Sequence, residues 1–418
     1  MTIELTSRSV RTPGWCEKRW PTGSLSPRMA EYVSQKTPVT PCLILDLDVV
    51  AARYRALAKE LPHADIYYAV KANPQPEVIA LLARLGSCFD VASPAEVELC
   101  LRLGARPESL SYGNTTKKRS DIRFAFQRGV RLFAVDSCGE VEKVAEEAPG
   151  SDVFCRILTS GQGAQWPLSR KFGCASDMAA DLLVRARDLG LNPRGVSFHV
   201  GSQQGDVSQW GKALRRVRKV FDRAAAAGLN LDLINLGGGF PAQYVDKIPP
   251  IAVYGKAIRD ALGARFPAGL PRLMVEPGRY IVGDAGVLFS EVILASRKGY
   301  EDDERWVYID VGVFGGLAET LDEAIRYRIV TNRDESRSGP VVLAGPTCDS
   351  ADIMYERNKY QLPLGLQPGD VLAMLSAGAY TSVYCSAAFN GFEPLPLHCI
   401  PVSEQPESAE HLEEVCSL

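Results

Sequence analysis

Four short motifs with reactive side chains or glycines each follow an apolar run that is typical of a buried strand. Lys71 follows the run in "HADIYYAVKAN", and the other motifs are "FHVGSQ" with His199, "GGGFP" with Gly237 to Gly239, and "EPGRY" with Glu276. A lysine amine can form a Schiff base, and a triglycine turn can expose backbone N–H groups to a phosphate. Each motif alone is more often structural than functional. Shared chemistry requires a fold that brings all four together.

The elements between these motifs predict such a fold. Short β-type runs alternate with helical segments from about residue 40 to about residue 280, and several helical segments end at glycine. The runs are "DIYYAVK", "CFDVAS", "LSYGN", "RLFAVDS", "VFCRIL", "VSFHVGS", "LDLINLGGG" and "RLMVEPG". Eight strand–helix units in this length predict a (β/α)8 TIM-type barrel, with a doubly wound open sheet as the alternative. Barrel sites form at the carboxyl ends of the strands, so all four motifs would meet at one mouth.

The pattern changes after about residue 285, where strand-like runs come without regular helices. This predicts an all-β domain, and the early run "TPCLILDLDVV" is a candidate strand of the same domain. The β domain would then be formed from both chain ends. We expect an irregular N-terminal extension over residues 1–37, the barrel over 38–282, and the β domain over 283–418 with a strand from about 38–46.

The composition excludes several classes of protein. The chain has 418 residues, 46% of them hydrophobic and 23% charged, which is ordinary for a soluble globular protein of two domains. A net charge of −3 offers no basic field to nucleic acid, and no apolar run approaches the roughly 20 residues of a membrane helix. No signal peptide is visible, and eleven scattered cysteines without a CxxC pair indicate reduced thiols in a cytoplasm. With only four histidines, no metal site is expected.

Together the four motifs match the needs of one cofactor, pyridoxal 5′-phosphate (PLP). PLP requires an amine for its aldehyde, and Lys71 would supply it. Its phosphate requires a cluster of donors, which the triglycine turn would provide. Glu276 would keep the ring nitrogen protonated, and His199 would lie flat against the ring.

The chain resembles the alanine-racemase-type (fold type III) PLP-dependent decarboxylases, and within them the ornithine/lysine decarboxylases, over about residues 38–395. The motifs that carry the resemblance are "YYAVKAN", "FDVASPAE", "LSRKFG", "SFHVGSQ", "GGGFP", "EPGRY", "GPTCDSAD", "GAYT" and "FNGF". Diaminopimelate decarboxylases share the lysine, HVGS and EPGR elements. The combination of "GGGFP" with "GPTCDSAD" favours the ornithine branch.

The resemblance implies a role for most residues of the cofactor site. Lys71 would carry PLP, with Asp90 and Glu96 organising the pocket around it and Arg156 near the ring. Without the resemblance, Asp90 and Glu96 are equally well read as ordinary loop acids. The residues that would hold the phosphate are Ser202, Gly237, Gly238, Gly239, Arg279 and Tyr380.

The resemblance also implies a head-to-tail homodimer with two shared active sites. Cys348 and Asp349 of one subunit would reach into the site of the other, and Lys171 and Asp352 would form an intersubunit salt bridge. Cys348 would return a proton to the substrate Cα after CO2 leaves. The alternative for Cys348 is a buried thiol that serves as a small hydrophobic residue.

The implied reaction is decarboxylation of L-ornithine to putrescine, with L-lysine as a possible second substrate. In eukaryotic ornithine decarboxylases a Tyr-Asp pair aligns with Asp322-Glu323 in "ETLDEAIRY", and its acid binds the distal ammonium. Two acids here still suit a cationic tail, although a solvated helix start is the alternative. Other hypotheses are lysine alone, a modified or carrier-linked amino acid, a non-catalytic relative, and a racemase. A racemase of this type needs a tyrosine where Cys348 stands.

Overall fold

The structure is a computed structural model that describes residues 20–166, 171–331, 333 and 337–403. Its α-helices in these ranges are α1 (Pro27–Lys36), α2 (Leu47–Glu60), α3 (Pro76–Arg84), α4 (Pro94–Arg102), α5 (Arg119–Gln127), α6 (Cys138–Glu147), α7 (Ser176–Asp188), α8 (Ser208–Ala226), α9 (Ile251–Arg265) and α10 (Arg279–Val282). Short 3-10 helices cover Val70–Ala72, Pro107–Ser109, Val313–Gly315, Ala318–Glu323 and Phe389–Gly391. None of the helices in the described ranges is both long enough and apolar enough to cross a membrane.

The strands fall into a barrel, a separate nine-stranded sheet and a short two-stranded sheet. In chain order they are β1 (Cys42–Asp46), β2 (Ala64–Ala69), β3 (Cys88–Val91), β4 (Leu110–Tyr112), β5 (Leu132–Val135), β6 (Asp152–Arg156), β7 (Ala164–Trp166), β8 (Asn192–Ser197), β9 (Ser202–Gln204), β10 (Leu233–Asn235), β11 (Arg272–Val275), β12 (Gly286–Ser296), β13 (Arg305–Ile309), β14 (Arg328–Thr331), β15 (Ser338–Ala344), β16 (Ile353–Met354), β17 (Tyr360–Pro363), β18 (Val371–Leu375) and β19 (Leu397–Ile400).

The predicted barrel is confirmed. Eight parallel strands close in the order β2, β3, β4, β5, β6, β8, β10 and β11, and each contains residues of one predicted run. Buried apolar side chains fill the interior, namely Tyr67, Leu132, Ala134, Phe154, Leu233 and Met274. A larger apolar layer separates the strands from the surrounding helices. The helix-stop glycines behave as expected, since Gly104 and Gly228 follow α4 and α8 with φ of 99° and 78°.

The second domain is a nine-stranded sheet to which both ends of the chain contribute. Strand β1 pairs antiparallel with β12 and parallel with β19, so the early run does belong to this sheet. Its core includes Leu43 from β1 and Leu288 from β12. The sheet continues from α10 through β12, which places it beside the carboxyl ends of the barrel strands.

The N-terminal extension differs from the expectation over part of its described length. Residues 1–19 lie outside the described residues, as do 404–418 at the other end. Over Pro27–Lys36, where an irregular segment was expected, the chain forms helix α1, and that expectation is wrong. The Ser26 hydroxyl caps its first turn by accepting from Met29 N at 3.1 Å, and Met29 and Val33 are buried against the sheet. The signals were a Ser-Pro start and two apolar residues four apart.

Candidate active site

Lys71 lies two residues beyond the end of the strand that was expected to end with it. Strand β2 ends at Ala69, and Lys71 is the middle residue of the 3-10 helix Val70–Ala72. The turn is fixed by the rest of its motif: Tyr68 Oη donates to the carbonyl oxygen of Asn73 at 2.9 Å. Asn73 Nδ2 in turn donates to the carbonyl oxygen of Gly378 in the β domain at 2.8 Å. The motif "YYAVKAN" therefore anchors the lysine at the junction of the two domains.

Acidic and basic side chains surround the Lys71 amine. Its Nζ is 3.6 Å from Asp90 Oδ2, and 51% of the lysine side chain is accessible. Partial loss of water around the amine opposes the positive charge, but neighbouring acidic groups, Asp90 foremost, outweigh this effect and raise the pKa of Lys71. Burial raises the pKa of Asp90, while Lys71 and Arg156 act to lower it. The amine is thus held in its charged form beside the Asp90 carboxylate.

Glu276 follows β11, one strand away from the lysine around the barrel. Its backbone N–H donates to the carbonyl oxygen of Gly237 at 2.8 Å, and its Oε1 accepts from Asn235 Nδ2 at 2.5 Å. Burial and repulsion by Asp90 raise the pKa of Glu276 to about 7. A cation placed beside this carboxylate would favour its charged form. The position therefore suits a group that pairs with a protonated ring nitrogen.

His199 is held as a neutral ring. Its Nδ1 accepts from Gly201 N at 3.0 Å, so the ring orientation is fixed by the backbone two residues later. Burial, followed by repulsion from Arg156 and Lys71, lowers the pKa of His199 well below its usual value. Burial also lowers the pKa of Arg156, whose guanidinium lies 5.3 Å from the centre of the Phe172 ring. A neutral, fixed imidazole can lie against an aromatic cofactor without adding charge.

A second cluster lies beside these residues and could hold a phosphate. Arg279 is 3% exposed, and its Nε and Nη2 donate to Ser202 Oγ at 3.3 and 3.1 Å. The Tyr380 ring centre is 4.8 Å from the guanidinium carbon. Tyr380 is tied to the lysine turn, because its N–H donates to the carbonyl oxygen of Ala72 at 2.9 Å. Its φ of 58° places it in the left-handed region.

The triglycine turn is a cradle that only glycine can form. Gly237 and Gly239 have φ of 66° and 100°, where side chains are disfavoured. A Cβ at Gly238 would lie 2.5 Å from the carbonyl oxygen of Glu276 and 3.3 Å from His199 Nε2. The turn therefore brings bare backbone up to the Glu276 backbone and the His199 ring. Together with the amine and the buried guanidinium, this donor set fits PLP.

Glu96 is explained by helix capping as well as by the pocket. Its Oε2 accepts from Ala92 N at 2.6 Å, while Ser93 Oγ accepts from Glu96 N at 3.3 Å. This reciprocal pattern starts α4, and the sequence "SPAE" is its signal. Burial raises the pKa of Glu96 to about 7, with a smaller contribution from Asp90. Its link to the Lys71 cluster is through that neighbouring charge.

A single chain does not bring every predicted residue to this cluster. Cys348 and Asp349 are exposed on the β domain, where Asn390 Nδ2 donates to Cys348 Sγ at 3.2 Å. The Asp322 side chain is 96% exposed and lies 3.4 Å from Arg357. Glu323 Oε1 accepts from the backbone N–H groups of Arg357 and Asn358. The contacts of both acids are thus with the segment after β16.

The expected partners of the intersubunit salt bridge behave differently from each other. Lys171 is exposed, with its Nζ 4.9 Å from the Phe172 ring centre, while residues 168–170 of its motif lie outside the described residues. Asp352 is only 2% exposed. Its carboxylate accepts from Val313 N at 2.7 Å and from Thr347 Oγ1 at 2.7 Å. Asp352 therefore has an internal role that the expectation did not include.

Several residues that contact the site were not predicted from the sequence. Asn235 orients Glu276, Asn73 joins the domains, and Glu319 and Tyr244 both contact Arg279. Asn73 and Glu319 stand inside quoted motifs, "YYAVKAN" and "ETLDEAIRY". Their hydrogen-bond partners lie 305 and 40 residues away along the chain. The motifs therefore identify these residues but do not predict which residues they contact.

Comparisons with known proteins agree with this site. The family model described as "Pyridoxal-dependent decarboxylase, pyridoxal binding domain" matches residues 47–283. A lysine/ornithine decarboxylase of Selenomonas ruminantium is 34% identical over 391 residues, covering 93% of this chain and 96% of the relative. An ornithine decarboxylase of Schizosaccharomyces pombe is 36% identical over 363 residues, covering 84% of this chain and 81% of the relative. The crystal structure of SrLDC with PLP and cadaverine has a TM-score of 0.81 at 34% identity, covering 93% and 97% of the two chains.

The matched region is the barrel, and the residues that it contributes to the mouth fit the cofactor named by the family. The likeness extends through the β domain, because the relatives align over most of both chains. PLP is therefore the cofactor of this enzyme, and amino-acid decarboxylation is its reaction class. This chain belongs to the family of pyridoxal-dependent decarboxylases.

Proposed function

We propose that this enzyme decarboxylates L-ornithine to putrescine and CO2, with L-lysine as a second substrate. The observation that supports decarboxylation best is the convergence of Lys71, Asp90, His199 and Glu276 at one mouth, beside the buried Arg279. The substrate is inferred from the relatives, which are named for ornithine and lysine. When bound, PLP supplies the electron sink for the bond broken between Cα and the carboxylate.

Each residue at the barrel mouth has a separate role in this proposal. Lys71 provides the amine, and the Asp90 carboxylate, 3.6 Å away, balances its charge. His199 would place its neutral ring against the cofactor ring. Glu276 would pair with the ring nitrogen, and Asn235 Nδ2 orients that carboxylate by donating to its Oε1. Arg156 adds positive charge near the ring and helps keep Asp90 ionised.

The phosphate group is held by a separate set of donors. Arg279 and Ser202 contribute side-chain N–H and O–H groups, and the triglycine turn contributes backbone N–H groups. Tyr380, between Arg279 and the lysine turn, completes the set. Fixing the phosphate fixes the position of the reacting end of the cofactor.

The proton donor and the site for the substrate tail come from the β domain in this proposal. Cys348 returns the proton to Cα from its thiol, and Asp349 contacts the substrate beside it. Asp322 and Glu323 attract the distal ammonium. The exposure of Cys348, Asp349 and Asp322 in one chain favours their use across a homodimer interface. Each active site would then need two subunits.

The substrate proposal is tested by CO2 release from purified enzyme with PLP, comparing L-ornithine, L-lysine and L-arginine. Strong turnover of ornithine that is absent in Lys71→Ala supports it, because the variant lacks the amine. If lysine alone is turned over, the preferred substrate is lysine. If PLP binds with its visible absorbance but no free amino acid reacts, the ornithine assignment is refuted, and modified or carrier-linked amino acids become the candidates.

The shared-site proposal is tested by mixing two inactive variants. As homodimers, Lys71→Ala should be inactive and Cys348→Ala should keep only a small residual rate, whereas a hybrid has one site with both residues intact. After subunit exchange at equal amounts, about a quarter of wild-type activity is expected for random pairing in a closed dimer. No recovery after verified exchange would refute sites built from two subunits.

A further inference from the structure

The guanidinium of Arg279 is bound by the carboxylate of Glu319, a residue that was not predicted from the sequence. Arg279 Nη1 donates to Glu319 Oε2 at 2.7 Å, and Nη2 donates to Glu319 Oε1 at 2.5 Å. This is a bidentate ion pair whose side chains are 3% and 5% exposed. Nη1 also donates to Tyr244 Oη at 2.7 Å. Glu319 therefore binds the edge between Nη1 and Nη2, and Ser202 contacts the neighbouring edge between Nη2 and Nε.

The Arg279–Glu319 pair balances a buried charge and fixes the orientation of the guanidinium. A buried guanidinium without a counter-charge is costly, and a long side chain in a spacious site would adopt several orientations. Two parallel N–H···O bonds to one carboxylate fix both the plane and the direction of the guanidinium. With Glu319 and Tyr244 on one edge, Nε and Nη2 are left aimed at Ser202 Oγ. Glu319 also keeps the pKa of Arg279 raised in spite of its burial.

The backbone of Glu319 is held as firmly as its side chain. It belongs to the 3-10 helix Ala318–Glu323, and its carbonyl oxygen accepts from Ile325 N at 3.0 Å. The adjacent Thr320 Oγ1 donates to the carbonyl oxygen of Leu317 at 2.6 Å. Glu319 itself is 4% exposed, in contrast with Asp322 in the same helix. Within this segment Glu319 is therefore buried, whereas Asp322 is exposed.

We propose that Glu319 is a positioning residue that holds Arg279 in its phosphate-binding orientation before the cofactor arrives. The inference rests on the phosphate site proposed above, and it is independent of which amino acid is the substrate. Because Glu319 balances the charge of Arg279, the phosphate is recognised by the direction of fixed donors more than by net positive charge. Removal of the Glu319 carboxylate should therefore weaken binding of the phosphate-bearing cofactor specifically.

The test compares binding of PLP with binding of pyridoxal, which lacks the phosphate, to cofactor-free enzyme followed by absorbance. In Glu319→Gln we expect the Kd for PLP to rise on the order of tenfold, with the Kd for pyridoxal changed less than about twofold. A purely structural role would weaken both ligands alike, and that result would overturn the proposal. An unchanged Kd for PLP would overturn it as well.

Three further variants make the outcome decisive. Glu356→Gln removes an exposed acid of the same domain and should leave both Kd values unchanged. Tyr244→Phe removes one acceptor from Arg279 and should shift the PLP Kd in the same direction by less; it decides the question if Glu319→Gln does not fold. Arg279→Ala should abolish the preference for PLP over pyridoxal. If Arg279→Ala keeps this preference, the proposed phosphate site is refuted, and the proposed role of Glu319 is refuted as well.

Discussion

Replacing Gly238 by alanine should damage the active site through a single methyl group. The Cβ would lie 2.5 Å from the Glu276 carbonyl oxygen, and ordinary Cβ contacts begin at 3.4 Å. About 0.9 Å must therefore be gained by moving backbone. The backbone resists, since Glu276 N donates to the carbonyl oxygen of Gly237 at 2.8 Å and ties the two turns together. Movement of either turn displaces Glu276 or the glycine cradle.

The structure sets the size of the effect. Overpacking of this kind costs about 1–3 kcal/mol of unfolding free energy. A displacement near 1 Å in a catalytic constellation costs on the order of 10²-fold in rate. We therefore expect Gly238→Ala to fold with a modestly reduced melting temperature. Its kcat/KM should fall about 100-fold, and its PLP should bind more weakly.

The matched control is Gly211→Ala in helix α8. A Cβ at Gly211 would meet only the Ala261 Cβ at 3.7 Å. Alanine is favoured over glycine in a helix by about 1 kcal/mol, so this variant should be at least as stable as wild type and fully active. Thermal unfolding, PLP titration and steady-state kinetics on both variants give the comparison. Wild-type PLP affinity and turnover in Gly238→Ala would refute the cradle reasoning.

Two further predictions concern protons at the site. Because burial raises the pKa of Glu276 from 4.5 to about 7, the folded cofactor-free chain keeps a proton that the unfolded chain has lost between these values. The contribution of Glu276 to the free energy of unfolding should therefore fall as pH rises from 4.5 to 7, by up to about 1.4 kcal/mol per pH unit. Glu276→Gln should remove this contribution from the pH dependence measured by urea unfolding, and an unchanged pH dependence would contradict the assignment. Asn390 accepts from Cys348 N at 3.0 Å and donates to its Sγ at 3.2 Å, so Asn390→Ala should lower kcat about tenfold with PLP affinity intact. The loss should vanish in a Cys348→Ala background, and a fully additive loss would show that Asn390 acts elsewhere.

The barrel was predictable because its signals are local. Each strand–helix unit is a short stretch of sequence, and its apolar spacing does not depend on distant residues. The positions of Lys71, His199 and Glu276 followed, since parallel strands in a barrel end at one face. Strand β1 could be proposed for the β domain because the pattern after residue 285 required a sheet. A capping signal at Ser26-Pro27 was also present, but helix α1 buries only Met29 and Val33, so its apolar pattern is sparse.

The sequence by itself thus determined the fold class, the cofactor chemistry and the residues at the strand ends. Tertiary structure alone decided which charges face each other, for instance Arg279 with Glu319 and Asn73 with Gly378. It also decided the pKa shifts of Glu276 and Glu96, because burial sets them and burial is a property of the packed chain. Spacing along the chain fixes local geometry, whereas contacts between distant segments depend on how the whole core packs.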